Sequence, residues 1–173
     1  MRVFLLGLLT SLWLMGCASV PSVIVRPPAN EITQFALLGR LAVRQGEARY
    51  HVNIDWRHTP ASDEILLATP LGQGVAEILR SPAGAQLTLA DKRSYAAADM
   101  AALAEQVFGF PLPLTSVVRW LLGANDVERL PDGWAMRVVE RESAAEHALP
   151  TLIELERDDV AVRLKITEWT EVE

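Results

Sequence analysis

Cys17 is the only cysteine in the 173 residues, and it stands directly behind the apolar run at positions 3–15. A single thiol cannot close an intramolecular disulfide or complete a thiolate metal site. The three histidines, His51, His58 and His147, show neither metal-ligand spacing nor a nucleophile-elbow motif. In LGQGVAE, residues 71–77, the glycines lack both the lysine of a phosphate loop and the context of a dinucleotide turn. No catalytic residue, metal site or cofactor is assigned, and the chain is not expected to be an enzyme. The chemistry left to explain is a modification of Cys17 itself.

The elements around Cys17 support that reading. Arg2, the uncharged run VFLLGLLTSLWLM and Gly16 form a short basic start, an apolar middle and a small residue at a cleavage edge, the layout of a secretory signal peptide. The run is shorter than the roughly 20 residues of a transmembrane helix. LMGC, Leu14 to Cys17, resembles the lipobox of bacterial lipoproteins. That likeness implies an S-diacylglycerol on Cys17, cleavage before it and an N-palmitoyl group on the new amino terminus. The plain alternative is a buried cysteine in an N-terminal hydrophobic helix. By resemblance to lipoprotein sorting in Gram-negative bacteria, an Asp after the cysteine would imply retention in the inner membrane; Ala18 stands there instead, so the likeness implies the outer membrane, facing the periplasm. The expected organisation is a signal peptide at 1–16, a lipid-anchored tether at 17–30, and one domain at 31–173.

The formal net charge is −6, and loss of Arg2 with the leader makes the mature chain more acidic still. Nucleic acid is a poor partner for such a surface, and no basic stripe in the sequence overrules the total. ASVPSVIVRPPAN, residues 18–30, is rich in proline and has no amphipathic period, as a tether would be.

From Phe35 onward the dominant period is two, which predicts strands with one buried face. In RYHVNIDW, Tyr50, Val52, Ile54 and Trp56 alternate with Arg49, His51, Asn53 and Asp55; VRLKITEW sets Val162, Leu164 and Ile166 against Arg163, Lys165 and Thr167. LLGRLAVR, EILLAT, GVAEILR, AQLTLA, WAMRVVE and TLIELER are further strand candidates, and their short connections predict an antiparallel sheet. Two helices interrupt the strands. Asp99 caps DMAALAEQVFG, where Met100, Leu103, Ala104 and Val107 share a face and Gly109 ends the helix. The second follows FPLPL, is apolar around most of its circumference, and should end at Gly123; it is either a core helix or a lid over an apolar cavity. In TPLGQG, Pro70, Gly72 and Gly74 suit a turn, whereas Leu71 is an unexpected residue for a solvated tip.

LLATPLGQGVAEI, FGFPLPLTSVVRWLLG and LKITEW, behind a lipobox, together resemble the outer-membrane lipoprotein receptor family LolB over about residues 35–169. The resemblance implies a mainly β fold with α: a curved, unclosed antiparallel sheet, or half-barrel, whose helices cover an apolar cavity. It implies a monomer that accepts acylated client lipoproteins from the periplasmic carrier LolA and inserts them into outer-membrane phospholipid. Leu71, flanked by Pro70 and Gly72, matches the family's membrane-insertion loop. Candidates for the acyl cavity are Leu41, Val43, Val52, Ile54, Trp56, Leu87, Leu89, Met100, Leu103, Val107, Trp120 and Leu121, each of which could equally be ordinary core. Between Gly123 and Trp134 the chain is shorter than some members, which leaves the sheet edge and cavity mouth undefined there. The alternative function is a structural outer-membrane lipoprotein within an envelope assembly.

Overall fold

The computed structural model describes residues 27–28, 31–109, 114–122, 127–129, 133–145 and 147–170. Among the described residues, ten strands form one sheet: β1 (Phe35–Gln45), β2 (Ala48–His58), β3 (Asp63–Ala68), β4 (Gly74–Ser81), β5 (Gly84–Leu89), β6 (Ser94–Ala97), β7 (Val127–Arg129), β8 (Ala135–Arg141), β9 (Pro150–Arg157) and β10 (Val160–Thr170). Their spatial order is β6-β5-β4-β3-β2-β1-β10-β9-β8-β7 with every neighbour antiparallel. The sheet is unclosed, with β6 and β7 as its edges. Short hairpins suffice for most of these pairings; the first strand meets the last at the centre.

Period-two alternation decides which face is buried. Leu37, Leu41 and Val43 of β1 share the inner face with Trp56, Val52 and Tyr50 of β2 and with Trp169, Leu164 and Val162 of β10. A bulge interrupts the β1–β10 register between Leu38 and Gly39, and the Thr167 hydroxyl donates to the Leu38 carbonyl at 3.1 Å. A bulge bends and twists the strand that carries it. Gly39 permits the close approach here, because a Cβ at this position would meet the Lys165 carbonyl oxygen at 2.6 Å.

Helix α1 (Met100–Phe108) packs on the inner face of β5 and β6, where Met100 and Leu103 join Ala85 and Leu87. The Asp99 carboxylate accepts from the Ala102 amide at 2.8 Å, and the Gly109 amide donates to the Glu105 carbonyl, so both helix ends are satisfied. Helix α2 (Leu114–Leu121) sends Val117 and Leu121 into the main core with Leu37, Ile54, Trp56, Met136, Ile153 and Leu164. It ends at Leu121, and Gly123 lies outside the described residues. Strands β6 and β7 have no counterpart among the sequence-predicted elements; SYAA is too short and small to show a period, and the second occupies the segment between Gly123 and Trp134.

Candidate functional site

The antiparallel register gives the sheet two unlike ends. One holds the start of β1, the β2–β3 turn and the end of β10; the opposite end holds the β1–β2, β3–β4 and β9–β10 turns.

The first end is closed. Phe35 packs edge-on against Trp56 and Trp169, with ring centroids 5.3 Å apart in both pairs, and stacks on His58 at 5.0 Å. Behind the rings lies Asp63, 4% exposed, whose carboxylate accepts from Trp56 Nε1 at 2.9 Å, meets His58 Nδ1 at 2.6 Å and pairs with Arg80. Arg80 also donates to the Thr59 carbonyl at 3.2 Å. Burial by itself raises the Asp63 pKa, but hydrogen bonds from His58, Arg80 and Trp56 together outweigh it, and the carboxyl titrates below its ordinary range. This cluster ties β2, β3 and β4 together. Sequence alternation placed Trp56 on the inner face but gave no sign that its indole NH, His58 and Arg80 converge on one carboxylate.

Among the described residues, the opposite end is open on the side of β1, β2 and β10. Leu41, Val43, Val52 and Val162 on the inner face keep partial exposure, and Tyr50 beyond them is 58% exposed. Leu41 and Val162, with Leu67, Ile78, Val118 and Val138, pack against the main core without being sealed by it. The candidate cavity residues therefore divide by position. Ile54, Trp56, Leu87, Met100, Leu103 and Leu121 are buried core, whereas Leu41, Val43, Val52, Leu89 and Val107 form partly uncovered apolar surface. The Trp120 side chain lies outside the described residues, as does Cys17.

The β3–β4 turn stands at this open end. The Gly72 amide donates to the Thr69 carbonyl at 2.8 Å, closing a β-turn with Pro70 and Leu71 at its centre. Proline presets the first central position, and Gly72 takes a φ of +84° that a residue with a Cβ adopts only at a cost. The Thr69 amide to the Gln73 carbonyl at 2.8 Å and the Gln73 amide to the Thr69 hydroxyl at 3.2 Å brace the tip. Leu71, held by this turn, is 92% exposed. His51 and His147 are also exposed; among the described residues no group of His, Cys, Asp and Glu could hold a metal ion. No described helix is long and apolar enough to cross a membrane.

The family model of the outer membrane lipoprotein LolB matches residues 33–169. The outer-membrane lipoprotein LolB of Chromobacterium violaceum is 36% identical, over 97% of this chain and 98% of its own. That of Nitrosomonas europaea is 35% identical, over 97% of this chain and 92% of its own. Among solved structures, a LolA superfamily protein from Nitrosomonas europaea superimposes with a TM-score of 0.52 at 8% identity, covering 86% of this chain and 89% of that one, a likeness of fold alone.

Proposed function

This chain belongs to the outer-membrane lipoprotein LolB family, and from that premise we propose that it takes acylated lipoproteins from a LolA-type periplasmic carrier and inserts them into the outer membrane. The observation that carries the reading is the partly uncovered inner wall of Leu41, Val43, Val52 and Val162, opening at the same end of the sheet as Leu71. Each acyl methylene exposed to water costs about 0.8 kcal/mol, and a wall of aliphatic side chains removes part of that cost without demanding a particular chain length. With no nucleotide-binding loop in the sequence, transfer runs downhill on differences in affinity, from carrier to receptor to bilayer.

Cys17, on this reading, is the acylated first residue of the mature protein, residues 17–30 are its tether, and the folded body begins near residue 31. Pro70, Leu71 and Gly72 form the tip that meets the membrane. Helices α1 and α2 cover the inner wall and shift when acyl chains enter.

The test uses the mature chain with Cys17→Ala, which has no anchor of its own. Incubated with carrier loaded with a lipoprotein, it should take over the client and should also bind an apolar fluorescent probe. Failure of the folded protein to do either would leave an anchored scaffold as the better description. Mass spectrometry of the native mature protein should find an acylated Cys17 at the terminus; an intact Met1 would overturn that part.

A further inference from the structure

Although the chain is acidic overall, cations are concentrated on one part of the outer sheet face. Strand alternation turns Arg40 and Arg44 of β1, Arg49 of β2, and Arg163 and Lys165 of β10 away from the core, on the same face as the His51 ring. The register sets Arg44 opposite Arg49, Ala42 between His51 and Arg163, and Arg40 between Asn53 and Lys165. Because Ala42 is small, the longer side chains stand around a hollow of about 420 Å³, and Pro70 of the β3–β4 turn forms part of its wall. A second hollow continues it past Arg44 and Arg49 toward Glu154 and Glu156.

Carboxylates neutralise only one side of this basin. Glu154 lies 3.5 Å from Arg163, and Glu140 pairs with Lys165. Among the described residues, Arg40, Arg44 and Arg49 have no ion-pair partner. Like charges directly opposite one another on a sheet are destabilising, so the Arg44–Arg49 pair is a cost that a bound anion would relieve.

We propose that this basin binds the phosphates of anionic phospholipid at the bilayer surface, beside the inserting Leu71. The orientation rests on the membrane reading of the Leu71 turn, which the basin's geometry extends. Asn53 Nδ2 donates to the Thr69 carbonyl at 3.3 Å, fastening the turn to the same outer face. A flat charged surface that receives Leu71 therefore also meets the arginines next to Pro70. Guanidinium groups suit this role because each offers paired donors to phosphate oxygens. An apolar tip and a basic patch are two membrane signals, each weak alone.

The experiment measures partitioning of the mature Cys17→Ala chain onto vesicles of phosphatidylcholine alone and of phosphatidylcholine with phosphatidylglycerol in a two-to-one ratio. The protein should prefer the mixed vesicles, and added salt should erode the preference. A surface cation contributes roughly a factor of five on an anionic membrane, so Arg40→Gln with Arg49→Gln should lose about 30-fold on mixed vesicles and nothing on neutral ones. The corresponding double lysine variant should retain most of the preference. If the glutamine pair lowers the melting temperature, Arg44→Gln with Arg49→Gln provides the same comparison. Leu71→Glu should weaken binding to both compositions; if it does not, the insertion reading fails while the glutamine variants still decide the basin. Absence of a phosphatidylglycerol preference in the parent protein, or its survival in the glutamine variants, would overturn the proposal. So would an intact preference coupled to poor client uptake from the carrier without vesicles, which would mark an acidic protein surface as the occupant.

Discussion

Replacing Leu71 by glutamate separates folding from delivery. The side chain is 92% exposed and belongs to neither hydrophobic cluster, while the turn that holds it is closed by backbone and Thr69 hydrogen bonds. The expected change in folding stability is therefore within about 0.5 kcal/mol. At the membrane the same substitution is expensive. Removing a leucine from water contributes about 1.5–3 kcal/mol, so losing it alone should weaken attachment of an unanchored protein by about 10- to 150-fold. A carboxylate adds a desolvation penalty in the same direction. In a reconstituted transfer from carrier to liposome, Leu71→Glu should load normally and then accumulate in complex with client while delivery falls. Normal delivery would refute the insertion role, and a marked drop in melting temperature would refute the premise that the tip makes no packing contribution.

Asp63→Asn should destabilise the fold by about 3–5 kcal/mol at neutral pH, since it strips Arg80 of its counter-charge inside the closed end. Because the folded pKa of Asp63 is lowered, its contribution is present above the ordinary carboxylate value and is lost as pH falls through the lower folded value; urea titrations should show the variant lacking that component, and equal acid sensitivity would count against the cluster. Gly39→Ala, which drives a methyl toward the Lys165 carbonyl, should cost about 1–3 kcal/mol by the same measurement, and wild-type stability would show that the bulge yields freely. A tether deletion tests the geometry of the anchor: β1 spans about 36 Å, and removing the eight residues 19–26 cuts the greatest reach between Cys17 and Glu31, next to the buried Ile32, from about 48 to about 21 Å. The shortened lipoprotein should load but deliver poorly, and undiminished delivery would mean that the open end need not face the membrane.

Much of the sheet was readable because it is antiparallel with one buried face, the case in which side-chain alternation reports orientation directly. Tyr50, Val52, Ile54 and Trp56 lie on the expected inner side, and Asp99 and Gly109 bound the first helix as their residue types suggest. Alternation is blind to depth, however. Val52 and Ile54 have the same pattern, yet one is partly exposed and the other buried, because depth depends on which helix or strand end lies above them. Long-range convergence was equally hidden: Trp56, His58 and Asp63 lie within a hairpin, but Arg80 reaches them from the next strand. The Leu71 tip was legible for the opposite reason. It is a local anomaly, a large apolar residue between turn formers, and its exposure follows from the turn rather than from distant packing.

The unequal ends of the sheet bear directly on how a receptor can both hold and release. A fully sealed apolar cavity would recover nearly the whole transfer energy of each acyl methylene, about 0.8 kcal/mol, and leave little reason for the chain to move on to lipid. Here the aromatic rings and the Asp63 cluster fix one end, whereas Leu41, Val43, Val52 and Val162 leave the other incompletely covered. On the proposed reading, an acyl chain lying against that wall would be shielded on one side only, so each methylene would gain less than it does in a bilayer. The difference accumulates along the chain and favours release once the open end reaches lipid. On the proposed reading, the exposed Leu71 at that end would bring the lower-energy destination to where covering is least. Rigidity at the closed end supports the same directionality, because strands held there by buried hydrogen bonds present the open wall without having to unfold it.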